Sequence, residues 1–390
     1  MNKLIIIGNG FDLAHGYATR YTDFILWLVK DELKKLYESK DFNAFIENPL
    51  FTCVKNSSVN INTDIDDYFD KNIFSIIERG SRENTPPITF SGYSENRTVN
   101  YELFTINTSN DFGRLLLKST CESWVDIEHS YYKSLKEILY QQLKNPNSDF
   151  KEPVSNLNAQ LSYLCVRLKE YLSLIKEKVV VIGFKDQLNR SIDYEELFKP
   201  RDWEDVSDID FDELHLNCKT HILNFNYTDT VEQYFNGNDS VHVNYIHGSI
   251  SDPENPMIFG YGDELDDDFL IMEKQEIKGF LEHAKSLWYL RTRNYHNLIR
   301  FIESDYYQVQ IIGHSCGRSD RTLLNTVFEH ENCNSVDIYY RKRSDGTDSF
   351  NEISEEVSRQ FKDKQKLRKR VLPKSPFNII PQAAVVDKIC

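Results

Sequence analysis

The stretch Leu4-Ile5-Ile6-Ile7-Gly8-Asn9-Gly10-Phe11-Asp12 decides the fold. Its apolar run does not alternate with polar residues, and it ends on a glycine. A strand with one wet face alternates, whereas an unbroken β-branched run belongs to a strand covered on both faces, as in a parallel sheet. Gly8 and Gly10 then allow a tight turn and a close approach of backbone N–H groups to a phosphate. Leu13 stands where a dinucleotide fingerprint has its third glycine, and Gly16 extends the pattern to G-x-G-x5-G. The loop reads as a phosphate-holding turn, with a plain strand-to-loop turn as the alternative.

Working outward, residues 221–225, 243–246 and 309–312 give the same buried-strand signal, 336–340 gives a final one, and 179–184 (VVVIGF) reads as a strand too. Helical spacing covers 21–37, where Thr22 or Asp23 can cap the start, and 112–143. It also covers 154–176, where Leu157, Leu161, Leu164, Leu168, Leu172 and Ile175 recur every three to four residues. Residues 277–302 and 319–331 read as further helices. The Asn-, Ser- and Asp-rich residues 43–110 read as helices and long loops. Alternating strands and helices predict an α/β fold with a Rossmann-like, mostly parallel sheet. The expected division is a discontinuous nucleotide-binding domain (1–42 and 215–345), a largely helical insertion (43–214) and a C-terminal extension (346–390).

The 390 residues are 40% apolar and 13% aromatic, enough for a substantial core, with a formal net charge of −15. That charge argues against a general nucleic-acid binder. The basic residues in 359–374 read as a solvated helix face or tail, and the acidic run 263–268 as a loop rather than a metal site. The seven cysteines show no zinc or disulfide spacing. No signal peptide or membrane span is expected, so the protein is read as soluble and cytoplasmic.

Polar groups recur where strands end. Asn226 and Asp229 follow the strand at 221–225; Asn226 offers an amide donor and acceptor, and an Asn/Asp helix cap is the alternative. His247-Gly248 follows the next strand, where an imidazole can serve as general base or simply be structural. Gly313, His314 and Ser315 follow 309–312, and Asp320 can cap the helix beyond. In an open α/β sheet all of these fall on one edge, the edge that binds ligands.

The segments LIIIGNGFDLAHG (4–16), ILNFNYTDTVE (222–232), IHGSISDP (246–253), FGYGDE (259–264) and IIGHSCGRSDRTLL (311–324) resemble the AbiH family of bacterial abortive-infection, phage-defence proteins. The order of motifs is also similar to sirtuin-like NAD-binding domains, in Gly8, Gly10 and Gly16, in Asn226 with Asp229, in His247-Gly248, and in Gly313 with Ser315. That second resemblance implies NAD with its phosphates at Gly8, Asn9, Gly10, Phe11, Asp12 and Gly16, and with Gly248, Gly313, His314 and Ser315 lining the site. Asn226, His247 and Asp229 would be catalytic, Asn226 near the nicotinamide ribose and His247 as the base. Asn9 and Phe11 depart from the small residues of that pattern, Thr228 shifts the acidic residue by one, and no four-cysteine module is present.

The expected activity is hydrolysis of NAD at the nicotinamide–ribose bond, with NAD as substrate or ligand and no tightly bound cofactor or metal. A non-catalytic nucleotide sensor is the second reading. A metal-dependent nuclease using Asp12, Asp229, His247 and His314 is the third. A phage-derived trigger and self-association through 112–176 are the expected partners, that segment serving otherwise as a lid. Trp124-Val125-Asp126-Ile127-Glu128 reads as a packing or surface feature first and a lid contribution second.

Overall fold

The computed structural model describes residues 1–39, 44–55, 88–93, 100–108, 111–118, 124–175, 179–189, 218–235, 240–262, 264, 266–275 and 277–383. These residues divide into two compact units. One comprises Met1–Tyr17, Ile175–Leu270 and Ala284–Cys390, and the other Ala18–Leu174 and Ile271–His283.

In the first unit β1 (Asn2–Ile7) is buried along its whole length, as its unbroken apolar run requires. It pairs in parallel with β6 (Thr220–Asn224) on one side and β8 (Tyr307–Ile312) on the other. Beyond them lie β7 (Val241–Tyr245) and β9 (Cys333–Ile338), giving an all-parallel sheet in the order β7-β6-β1-β8-β9. The chain moves outward from β1 to β6 and β7, then returns to the opposite side for β8 and β9. The reversal falls between β1 and β8, which is where sheets of this kind form their ligand crevice. Leu4, Ile6, Leu223, Val309 and Ile311 enter one core and Ile5, Ile7, Ile222 and Ile312 the other, so both faces of the sheet are covered.

The second unit holds a long helix, Tyr21–Glu38, and a four-stranded antiparallel sheet in the order β2-β3-β5-β4 (Phe45–Glu47, Phe51–Lys55, Asn100–Thr108, Ile88–Tyr93). Helices Asp111–Lys118, Trp124–Lys144 and Lys151–Leu172 complete it, and Leu157, Leu161, Leu164, Leu168 and Leu172 are buried as their spacing predicts. Glu128 is buried, and the Trp124 side chain lies outside the described residues.

Several local expectations differ from the structure. Residues 43–110 contain strands where helices and loops were expected, because β-pairing across the sheet overrides their Asn- and Ser-rich composition. Residues 179–184 pair with no strand among those described. Ile182 is 94% exposed, Gly183 adopts φ +96°, and the chain enters a short helix, Phe184–Asn189. The helix expected over 277–302 is broken into Lys285–Tyr289 and Asn294–Ser304. The first segment starts at Lys285, whose N–H donates to Tyr261 O at 2.7 Å. Neither Thr22 nor Asp23 is the N-cap of Tyr21–Glu38. Arg20 is, and Asp23 accepts the Arg20 N–H from inside the first turn at 3.0 Å.

The boundary between units falls at Tyr17, so helix Tyr21–Glu38 belongs with the insertion rather than with the sheet. The C-terminal segment is part of the sheet unit, with bridges Val336–Val371 and Tyr340–Ile379. Its basic residues are largely paired: Lys366 with Glu331, Lys374 with Asp348, and Arg370 with the Phe328 carbonyl. The acidic stretch 202–213, whose composition reads as a loop, lies outside the described residues, as do Asp263 and Leu265 of the run at 263–268. Among the described residues no helix is long and apolar enough to cross a membrane, and no group of three or more His, Cys, Asp or Glu side chains is placed to hold a metal ion.

Candidate active site at the carboxyl edge of the parallel sheet

The loops that leave β1 and β8 cross at the reversal point. Gly10 N–H donates to Gly313 O at 2.8 Å, Gly8 N–H to Ile312 O at 3.3 Å, and Phe11 N–H to Gly8 O at 2.8 Å. A Cβ on Gly313, whose φ is +71°, would lie 2.3 Å from Phe11 N. Glycine is therefore required here for backbone to pass backbone. In this arrangement the Gly8, Gly10 and Phe11 N–H groups are bonded within the protein. Gly16 is exposed and ends the short helix Asn9–Ala14, and Asn9 is half-buried at its start.

Beside this crossing Asp12 is buried, with Oδ2 accepting from Thr228 Oγ1 at 2.6 Å and Thr230 Oγ1 donating on to Thr228 at 3.1 Å. Asp12 Oδ1 accepts no hydrogen bond among the described residues. Burial raises the Asp12 carboxyl to about 6; the donors Thr228, Thr230 and Asn226 work against that rise, and the nearby Asp229 charge adds to it. Asn226 is buried, and its amide donates to Gly8 O at 3.1 Å, tying the loop after β6 to the loop after β1. Asp229 is half-buried at the start of the 3-10 turn Thr230–Tyr234, where its side chain makes no capping hydrogen bond.

A second cluster forms around Asp320. The Asp320 side chain caps no helix. Its Oδ1 lies 2.8 Å from Lys285 Nζ and 3.1 Å from His247 Nε2, and Oδ2 lies 3.7 Å from His314 Nε2. Tyr289 OH is 3.2 Å from His247 Nε2, and Lys285 and Tyr289, four apart, reach the cluster from one short helix. Phe225 packs against both imidazoles, with ring centroids 4.8 Å from His247 and 4.2 Å from His314. Burial alone would raise the Asp320 carboxyl, but the Lys285 charge, then His247 and His314, hold it well below the usual carboxylate range.

His314 is fixed from both sides. Its Nδ1 accepts from Cys316 N–H at 3.0 Å, and Cys316 sits at φ +55°, the one non-glycine residue among those described with positive φ. Gln360 donates to the Cys316 carbonyl at 2.6 Å and braces the strained turn. Burial pushes the His314 imidazole down to about 4, helped by the His247 and Lys285 charges and opposed by Asp320. Gly248, at φ +84°, lets the His247 loop lie against Pro256, where a Cβ would meet the carbonyl oxygen at 2.1 Å. Ile258 N–H then donates to His247 O at 2.7 Å, which anchors the histidine backbone.

The structure thus gathers Gly8, Gly10, Phe11, Asp12, Asn226, His247, Gly248, Gly313 and His314 at one edge, with Ser315 exposed on the same loop. Sequence reasoning missed Lys285 and Tyr289 altogether and read Asp320 only as a cap. The available signal was a buried-type helix start carrying Lys and Tyr at i and i+4, which by itself points nowhere.

A five-stranded parallel sheet with this strand order and with its polar loops gathered at the carboxyl edge defines a Rossmann-like α/β protein. Residues 4–341 match the family described as Bacteriophage abortive infection AbiH. The chain belongs to that family, and its role lies in abortive infection against bacteriophage. No curated protein and no solved structure matches it.

Proposed function

We propose that this chain hydrolyses NAD at the nicotinamide–ribose bond, using the carboxyl edge between β1 and β8. The observation that carries the reading is that Asn226 is tied to Gly8 and Thr228 to Asp12 where the strand order reverses, with Phe225 packing His247 and His314 at the same edge, the place an open α/β sheet offers a nucleotide. The order of motifs shared with sirtuin-like NAD-binding domains supports the choice of nucleotide.

In the reaction the C1′–N bond breaks and its electron pair stays on the pyridine nitrogen, so nicotinamide leaves neutral without an acid. Water adds to C1′ and gives up a proton, for which His247 is the acceptor. Asn226 orients the ribose or the water, and the cationic C1′ of the transition state is met by nearby carboxylate and carbonyl oxygens. Asp12, Asn226, His247 and His314 are all buried and the loop N–H groups are occupied, which supports a resting form that admits substrate only after the loops part.

The test is nicotinamide release by the parent protein and by Asn226→Ala/His247→Ala, with and without divalent metal and chelator. Release that ignores metal and chelator and is lost in the double variant is the expected result. Loss of the base alone removes activity by about 10²–10⁴-fold. Nicotinamide release that disappears with chelator, or that survives in the double variant, overturns the proposal.

A further inference from the structure

His247 does not stand alone at the sheet edge. Its Nε2 faces Asp320 Oδ1 at 3.1 Å, and the same oxygen is held by Lys285 Nζ at 2.8 Å. All three side chains are more than nine-tenths buried, so neither charge is dissipated by solvent. Tyr289 OH lies 3.2 Å from the same nitrogen.

We propose that Asp320, clamped by Lys285, is a positioning residue that holds the His247 ring as its Nε2–H tautomer, so that Nδ1 is the nitrogen that takes up a proton. A carboxylate accepts and cannot donate, so the neutral ring beside it places its one N–H on the facing nitrogen. The lone pair is then on Nδ1, turned away from Asp320. Lys285 has a separate task. It pairs the buried carboxylate and fixes the oxygen that faces Nε2. The other groups at the cluster are His314 and the Tyr289 hydroxyl.

The inference deepens the NAD reading by assigning which atom of His247 acts, but its main test needs no substrate. The probe is the ¹⁵N spectrum of the full-length protein labelled at histidine, with His247 assigned by its loss in His247→Gln. The parent ring is expected as the Nε2–H tautomer. In Asp320→Leu/Lys285→Met, which removes both charges together, the Nδ1–H tautomer gains population. Lys285→Arg keeps the parent tautomer, and Lys285→Met, which frees the carboxylate to turn, gives a mixture of tautomers.

An Nδ1–H ring in the parent, or a tautomer indifferent to the double substitution, overturns the assignment. Failure of Lys285→Met to fold leaves the parent and double-variant spectra to decide. If the tautomer is as stated and no nicotinamide is released, the NAD reading fails while the positioning role stands; nicotinamide release with an Nδ1–H ring is the converse.

Discussion

Asp12 and Asp320 are both buried carboxylates at the carboxyl edge of one sheet, and their surroundings drive them in opposite directions. Asp12 is met only by neutral donors and by the charge of Asp229, so burial wins and the group is lifted to about 6. Asp320 is met by the Lys285 cation and by two imidazoles, so attraction outweighs burial and the group stays ionised far into acid. Depth of burial is the same for both; the presence of a cation decides. One edge therefore carries a carboxyl able to exchange protons near neutrality and a carboxylate that serves as a fixed charge, the separation of roles that acid–base chemistry needs.

The comparison can be broken most strongly at Lys285. Lys285→Met strands a buried carboxylate and is expected to lower unfolding stability by about 3–5 kcal/mol, whereas Asp320→Leu/Lys285→Met removes the whole pair and loses much less. Denaturant titration of the single and double variants measures this. Equal losses would mean that Lys285 contributes through packing rather than charge.

Asp12 gives the next effect, of opposite sign. With a folded pKa above the unfolded value, its contribution is fully present below about pH 4. It declines as the unfolded chain ionises and is lost as pH rises through about 6. Asp12→Asn keeps an acceptor for Thr228 without the charge, so it should be more stable than the parent at pH 8, by up to about 3 kcal/mol. The gain should vanish near pH 4. A destabilised Asn variant at pH 8 would show that the carboxylate is held charged after all.

Asp320 predicts the reverse slope. Its depressed pKa gives stability that is present above the ordinary carboxylate value and is lost as pH falls below it. Acid unfolding of the parent below pH 4 should therefore be flattened in the neutral double variant. The smallest expected effect is at Thr228→Val, which removes one donor to Asp12 at a cost of about 1 kcal/mol and lifts the Asp12 titration further. An unmoved midpoint would mean that this hydrogen bond does not reach the carboxylate.

The same contrast shows what the sequence makes legible. The parallel sheet is readable because burial on both faces demands apolar runs: β1 supplies an unbroken one, and β6 and β8 carry shorter apolar stretches beside a buried His221 and buried Gln308 and Gln310. The glycine, amide and imidazole positions follow, since strand ends share one edge. The antiparallel strands of the second unit carry no such demand, and their residues resemble loop composition. VVVIGF has strand composition yet pairs with no strand among the described residues, because propensity supplies no partner strand. Lys285 was hidden for another reason. The apolar spacing of a helix runs on through 277–302, while the start at Lys285 is marked by a backbone bond to Tyr261, a tertiary contact that spacing does not announce. The sequence places one end of an ion pair near the site, and only the fold reveals the other.

The most direct test of the account joins its chemistry to the family's role: NAD measured in phage-infected cells that carry the parent protein or His247→Ala. The account predicts that NAD falls after infection in cells with the parent and holds in cells with the variant, which also lose protection. Protection by the parent with NAD unchanged would contradict it.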